Sequence, residues 1–274
     1  MSSTEKYIDI DKVLDSKNPA LRKWIPRFVL KYFKRLLHED EINGVMSRIG
    51  HLHGLDFLEA MIVGELNTTV KLEGAENIPK EKGVIIASNH PLGGLDGMTL
   101  IYAVGQVRPD IKFLVNDVLL NIENLKQFFV PVNKFGGNPR EASKLIEEAY
   151  SADIATLVFP SGLVSRKQPQ GIEDLEWKKS FVSKAIKYKK DIVPTFIDGQ
   201  NSRRFYNFSR FRGKIGIKAN LEMMLLPGEM FRQRNHTITV KFSDRISYES
   251  LDKSKTHQQW ADDIRGRVYA MKQS

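Results

Sequence analysis

Between residues 21 and 37 the apolar side chains recur at steps of three and four: Leu21, Trp24, Ile25, Phe28, Val29, Tyr32, Phe33, Leu36 and Leu37. This period marks one face of an amphipathic helix, with Arg27, Lys31, Lys34 and Arg35 lying off it. Pro26 must either start that helix or kink it. The aromatic face can lie in a membrane interface or pack on the protein's own core, and the pattern fits both uses. Residues 9–66 read as mostly helical, broken at Gly44, Gly50, Gly54 and Gly64.

From residue 68 the period changes. TTVKLEG, GVIIASNH, IKFLVN, IATLVFPSG and DIVPTFIDG are short apolar runs that predict strands, and HTITVKFSD predicts a late one. Between them GMTLIYAVG, a short segment near 121–127, NPREASKLIEEAY and LEWKKSFVSKAIKYKK predict helices, with a terminal helix over 256–272. Strands alternating with helices imply an α/β fold: a mixed, largely parallel sheet flanked by helices. The chain divides into a helical N-terminal segment, residues 1–66, and an α/β domain, residues 67–274.

Composition narrows the chemistry. The chain has no cysteine, which excludes a disulfide scaffold, a thiolate zinc site, an iron–sulfur cluster and a cysteine nucleophile. The polar, acid-containing start MSSTEKYIDIDKVLD lacks the apolar core of a secretory signal. No window reaches the roughly 18 uninterrupted apolar residues of a spanning helix, so any membrane role is expected to be peripheral.

The net charge is +9, and it is concentrated. Residues 17–38 hold Lys17, Arg22, Lys23, Arg27, Lys31, Lys34 and Arg35 with no acid, and residues 199–221 hold Arg203, Arg204, Arg210, Arg212, Lys214 and Lys218 with no acid. Outside these two stretches acids outnumber bases, so the charge points to local anionic partners. The second stretch interleaves its bases with Phe205, Tyr206, Phe208 and Phe211. Such a mixture suits a lipid interface, an acidic carrier protein or single-stranded nucleic acid; no nucleic-acid motif supports the last, and no nucleic-acid partner is expected.

The apolar strands end in loops of unusual composition: NHPLGG, VPVNKFGG, FPSG and IDG. Ligands of open α/β sheets bind beyond the carboxyl ends of strands, so these loops define one site if they share an edge. The richest is Ser88-Asn89-His90-Pro91-Leu92-Gly93-Gly94-Leu95-Asp96-Gly97. A neutral imidazole at His90 can take a proton from a hydroxyl near neutral pH, and a carboxylate on its other nitrogen fixes the tautomer. Gly93 and Gly94 let the loop fold back far enough for Asp96 to reach His90, and their N–H groups can face an oxyanion. Asp96 as a plain helix N-cap and His90 as a satisfied loop histidine are the alternatives. Lys134, Arg140, Arg166 and Lys178 are candidate carboxylate or phosphate ligands, Lys134 and Arg166 foremost because they follow strand-end loops. His51, His53 and Asp56 do not form a metal set, because positions i and i+2 of a helix face different ways, and no metal is expected.

NHPLGGLDG resembles the first motif of the lysophospholipid/glycerolipid acyltransferase superfamily, in the His-Pro-x-Gly-Gly-x-Asp form of its branch labelled "hemolysin", which is related to the ornithine and glycine lipid O-acyltransferases. LHEDEING, LDFLEAMI, VFPSGLVSR, LEWKKSFV and IVPTFIDGQNSRRFYN resemble the same branch in order and spacing. The resemblance implies transfer of a fatty acyl group from acyl-ACP or acyl-CoA to the hydroxyl of a lyso-lipid at the cytoplasmic face of the inner membrane. No cofactor is implied beyond that co-substrate. It makes His90 the general base, Asp96 its partner, and Asn89, Gly93, Gly94, Lys134, Ser161, Gly162 and Arg166 substrate-binding residues. The sequence departs from the wider superfamily at three points. Five residues rather than four separate His90 from Asp96, Ser161 stands where Phe-Pro-Glu-Gly has Glu, and Lys134 stands where the second motif has Arg. These changes favour a lyso-aminolipid acceptor over lysophosphatidic acid. A catalytically silent lipid- or carrier-binding protein of the same fold is the reading from a different class.

Overall fold

The structure is a computed structural model and describes residues 6–17, 24–132 and 139–272. A seven-stranded sheet forms its centre. In chain order the strands are β1 (Thr69–Glu73), β2 (Val84–Ser88), β3 (Ile111–Val115), β4 (Phe129–Pro131), β5 (Ala155–Val158), β8 (Asp191–Ile197) and β9 (Thr237–Phe242). Between β5 and β8, strands β6 (Arg166–Gln168) and β7 (Gly171–Glu173) form a separate antiparallel hairpin. The sheet order is β1-β9-β8-β2-β5-β3-β4. All neighbouring pairs are parallel except β8 with β9, so β1 and β9 run against the other five.

Strand β2 explains why the sheet is covered on both sides. Its residues are buried throughout, and its side chains alternate. Val84 and Ile86 join one core with Phe57, Leu58, Ile62, Leu100, Val104 and Val193. Ile85 and Ala87 join another with Trp177, Phe181, Val182, Ile192, Ile264 and Val268. A strand buried on both faces reads as a continuous apolar run, which is how VIIA appears in the sequence.

The helices are α1 (Ile10–Lys17), α2 (Arg27–Leu36), α3 (Glu39–Ile49), α4 (Gly54–Glu59), α5 (Gly94–Gly105), α6 (Pro139–Ser151), α7 (Ser180–Tyr188), α8 (Arg203–Lys214), α9 (Leu226–Arg232) and α10 (His257–Ala270). Helix α4 continues into a π-helical turn at Ala60–Glu65, whose Met61 and Ile62 sit in the sheet's core. Pro26 precedes α2 and caps its start.

The face of α2 differs from the one its period suggests. Leu30 is its buried residue, while Trp24, Phe28 and Tyr32 are 86%, 76% and 56% exposed. Leu21, Arg22 and Lys23 lie outside the described residues. The helix expected over 175–190 begins only at Ser180. Trp177 is drawn into the core instead, with its indole N–H donating to Asp174 at 2.9 Å, and residues 175–179 follow it as a loop. The short helix expected near 121–127 is instead a pair of 3-10 turns, Asp117–Asn121 and Glu123–Phe128.

Candidate active site

Strands β8, β2 and β5 are adjacent and parallel, so the loops IDG, NHPLGG and FPSG emerge from the same edge of the sheet. Asn89 sets the geometry of that edge. Its amide accepts from the Ile197 N–H at 2.7 Å and donates to the Ile197 carbonyl at 3.0 Å, extending the pairing of β2 with β8 by one residue. Expected to face substrate, Asn89 is buried and engaged with backbone.

Beyond it the chain turns sharply. Gly93 has φ +84°, a left-handed value that a side chain resists, and a Cβ there would stand 2.8 Å from Leu226. The turn leads straight into α5, whose first turn holds Asp96. One oxygen of Asp96, Oδ2, sits 2.9 Å from His90 Nδ1 and accepts the N–H groups of Leu92 at 2.7 Å and Gly93 at 2.9 Å. Gly93, not Asp96, is thus the N-cap of α5, and Asp96 at its third position closes the capping box onto the Gly93 N–H and orients the histidine with the same oxygen.

Asp96 is fully buried and His90 keeps 16% of its side chain exposed. Burial pushes the Asp96 carboxyl above its ordinary range, while the His90 contact and the two backbone N–H groups pull the other way. An acceptor at Nδ1 assigns the ring proton to that nitrogen and leaves a lone pair on Nε2. Phe159 stacks on the imidazole with ring centroids 4.2 Å apart and fixes its plane. A ring oriented this way can accept a proton from a hydroxyl placed at Nε2.

The backbone of His90 is held from outside the loop. Its carbonyl accepts the Ser165 N–H at 2.7 Å, and its N–H donates to Asp174 Oδ1 at 3.1 Å. Asp174 Oδ1 also accepts the Ser165 hydroxyl at 2.6 Å, and Oδ2 takes the Trp177 indole. The sequence reading missed Asp174. The Trp177 side chain three residues on, in the quoted LEWKKSFV block, was the one local signal near it.

The remaining expected residues divide. Gly93 gives its N–H to Asp96, so that donor is occupied. Gly94 opens α5, and apart from its chain neighbours and its own helix backbone nothing lies within 4 Å of where its Cβ would be. The Ser161 hydroxyl donates to the Leu163 carbonyl at 2.8 Å, and Gly162 turns the loop at φ +67°. Arg166 is turned to buried Glu222, at 2.7 Å, and to the Val164 carbonyl, at 2.6 Å, with its guanidinium over Phe205. Its cation is therefore spent inside the protein. Lys134 lies outside the described residues. Lys178 lies beside the FPSG loop: its ammonium is 3.7 Å from where a Gly162 Cβ would stand, and its N–H bonds the Pro160 carbonyl at 3.1 Å.

A cavity of about 360 Å³ opens next to these loops, lined by Asp198, Asn201, Glu229, Arg232 and His236 among others. His90 does not line it. The link is Asn201, whose amide donates to the Pro91 carbonyl at 3.2 Å.

A histidine–carboxylate pair at the carboxyl edge of an α/β sheet defines a class of site, not yet a reaction. The reaction class comes from kinship: residues 12–274 match the acyltransferase family model, and the chain belongs to that family and is an acyltransferase. The lyso-glycine lipid O-acyltransferase of Bacteroides thetaiotaomicron is 43% identical over 265 residues, 96% of this chain and 97% of that one. The protein of the same name from Phocaeicola vulgatus is 40% identical over 265 residues, 96% and 95% of the two chains. Among solved structures, the 1-acyl-sn-glycerophosphate acyltransferase of Thermotoga maritima superposes with a TM-score of 0.49 at 15% identity, covering 95% of this chain and 91% of its own.

Proposed function

We propose that the protein transfers a fatty acyl group from a thioester, on acyl carrier protein or coenzyme A, to the hydroxyl of a lyso-lipid of the glycine or related amino-acid type. The acceptor class is supported by the names of the two relatives, aligned over nearly the whole chain. The observation that carries the mechanism is the 2.9 Å contact between His90 Nδ1 and a buried Asp96 beside an accessible ring edge.

The acceptor hydroxyl gives its proton to His90 Nε2 as its oxygen bonds to the thioester carbonyl carbon. Asp96 stabilises the imidazolium so formed. Negative charge collects on the former carbonyl oxygen, where the start of α5 at Gly94 offers backbone N–H and the positive end of the helix. Collapse breaks the carbon–sulfur bond, the imidazolium returns its proton to the thiolate, and ester and free thiol leave. No cysteine is present, and Ser161 is buried with its hydroxyl bonded to its own loop, so direct attack is favoured over an acyl-enzyme. Lys178, which carries no ion pair among the described residues, is the cation at this edge suited to a head-group carboxylate.

The enzyme works as a peripheral protein at the cytoplasmic face of the inner membrane, with the exposed Trp24–Phe28–Tyr32 edge of α2 in the lipid interface. Among the described residues no helix is long and apolar enough to cross a membrane. The exposed Arg27, Lys31 and Arg35 add attraction to an anionic leaflet.

The test is turnover by the purified protein with acyl-ACP or acyl-CoA and lyso-glycine lipid. His90→Ala should lower kcat by about 10²–10⁴-fold with an unchanged unfolding temperature. Wild-type rates from that variant would remove the base, and a clear preference for lysophosphatidic acid would remove the acceptor.

A further inference from the structure

The second basic stretch is not part of the site described above. It folds as α8 and the loop that follows, and its surface is unusual. Phe205, Tyr206 and Ser209 form the buried face of α8. At helical spacing beside them Phe208, Phe211 and Ile215 form an apolar edge, and Arg203, Arg210 and Lys214 form the neighbouring stripe. From Arg210 to Leu221 every residue except Arg212 is exposed, among them Phe211 at 59% and Ile215 at 53%. Ile217 and Leu221 continue the apolar character into the loop, with Lys218 between them.

This tip is built to stand outward. Arg212 Nε donates to buried Glu222 at 2.7 Å, Nη2 reaches Asn220 at 3.1 Å, and Nη1 reaches the Ile217 carbonyl. Glu222 in turn holds Arg166, which extends from the loop after FPSG. The single inward-turned base thus pins both sides of the loop, and the large apolar side chains are left in water. Exposed apolar groups held in one conformation have already lost the freedom that binding would cost them.

We propose that the tip formed by the end of α8 and residues 215–221 is a second membrane contact, inserting Phe211, Ile215 and Ile217 into the interface of an anionic lipid surface, with Arg210, Lys214 and Lys218 at the phosphate level. Charge complementarity selects an anionic partner, since the stretch has no acid of its own. Projection selects a lipid surface over an acidic carrier protein: bulky apolar side chains on a jutting loop match a fluid interface, which needs no complementary cleft.

The tip is also joined to the residue after α2 through α9. The chain runs from it into α9, where Leu226 packs over Gly93 of the catalytic loop, while Phe231 of the same helix meets His38, which follows α2, at 5.4 Å between ring centroids. Helix α9 thus touches the His90 loop through Leu226 and the residue that follows α2 through Phe231. The inference rests on the proposed peripheral action for its setting, not on the acceptor or the mechanism.

The test is co-sedimentation of the full chain with vesicles of phosphatidylethanolamine and phosphatidylglycerol, and with vesicles of phosphatidylcholine. Phe211→Ser/Ile215→Ser/Ile217→Ser is expected to bind the anionic vesicles at least about tenfold more weakly than wild type. Arg210→Glu/Lys214→Glu/Lys218→Glu, which alters only exposed charges, should lose at least about as much on the anionic vesicles and nothing on the neutral ones. Both variants should keep the wild-type circular dichroism and unfolding temperature. Trp24→Ser/Phe28→Ser/Tyr32→Ser separates the two contacts. If it alone loses binding, the α8 tip is not a membrane contact and the α2 edge stands; if only the tip variants lose binding, the α2 edge falls and the tip stands. Tip variants that bind vesicles normally but no longer retain fatty-acylated carrier protein would overturn the proposal in favour of a carrier surface.

Discussion

Asp174 holds the loop that carries His90 from a distance of 84 residues in sequence, and nothing in the spacing of His90 and Asp96 points to it. Its carboxylate, 1% exposed, gathers the His90 N–H, the Ser165 hydroxyl and the Trp177 indole, three donors that only a pair of acceptor oxygens can serve together. Asp174→Asn turns one of those oxygens into a donor and leaves a buried N–H facing another. The His90 backbone should then shift, and misplacement of a catalytic group on the scale of 1 Å costs on the order of 10²-fold in rate. The expected outcome is a fall of about 10–100-fold in kcat with little change in KM for either substrate. Steady-state kinetics at saturating donor would check it, and a variant with normal kcat and only lower thermal stability would reduce Asp174 to a structural residue. His90 and Asp96 were legible because six residues of chain suffice to close their contact. Asp174 and the staple between Asn89 and Ile197 were not, because each is a tertiary contact made by a residue type that is common in loops. Arg166 shows the reverse failure. Its place after a strand-end loop suggested a ligand, but its partner, Glu222, comes from 56 residues away.

At the scale of elements, Glu147 on α6 ties that helix to α7. It accepts from Lys184, Lys187 and Tyr188, the Lys187 contact being 2.8 Å. These donors, Lys184 first, hold its carboxyl down from 4.5 to about 2. A carboxyl depressed in the folded state stabilises it above the unfolded value, and that contribution disappears as the pH falls toward the folded value. Glu147→Gln is therefore expected to lower the unfolding temperature by a constant margin at neutral pH. The margin should close between about pH 4.5 and pH 2 as the wild type loses the same interaction, and thermal melts of both proteins across that range would show it. A margin independent of pH would mean that the ion pairs contribute nothing and that packing is at stake. Strands β1, β2, β3, β5, β8 and β9 and the helices α5, α6 and α10 were legible from their apolar periods, whereas three-residue β4 is too short to show one. The first turn expected of α7 was not, because burial of Trp177 outweighed the helical period of LEWKK. Helix α8 and the β6–β7 hairpin were missed because their sequences are dominated by bases, aromatics or polar residues, whose pattern speaks of surface before it speaks of period, and α9 because its seven residues carry Pro227 and Gly228.

For the molecule as a whole, the alternation of strands and helices announced a largely parallel sheet, but not that β1 and β9 would run against the rest. Strand order is decided by pairings across the length of the chain, Thr69 beside Thr237 for example, and local pattern carries no trace of them. Charge is different, because its distribution along the chain survives folding. Among the described residues Arg27, Lys31, Arg35, Arg203, Arg204, Arg210, Lys214 and Lys218 of the two acid-free stretches are exposed on or beside α2 and α8, while Lys34 and Arg212 turn to Asp11 and Glu222, and elsewhere acids such as Glu65, Glu147 and Glu173 pair with Arg48, Lys184 and Arg265. The net charge of +9 thus acts as two local fields. Exposed charges separated from lipid phosphates by water are screened within a Debye length of about 10 Å at 0.1 M salt, whereas the buried His90–Asp96 pair is shielded from added ions. Raising the salt should therefore weaken attachment without touching chemistry. Acyl transfer measured on acceptor embedded in phosphatidylglycerol-containing vesicles should fall steeply with ionic strength, while transfer to the same acceptor in neutral detergent micelles should change by less than about twofold. Equal salt dependence in the two media would mean that the basic edges serve the donor carrier or the chemistry rather than the lipid surface.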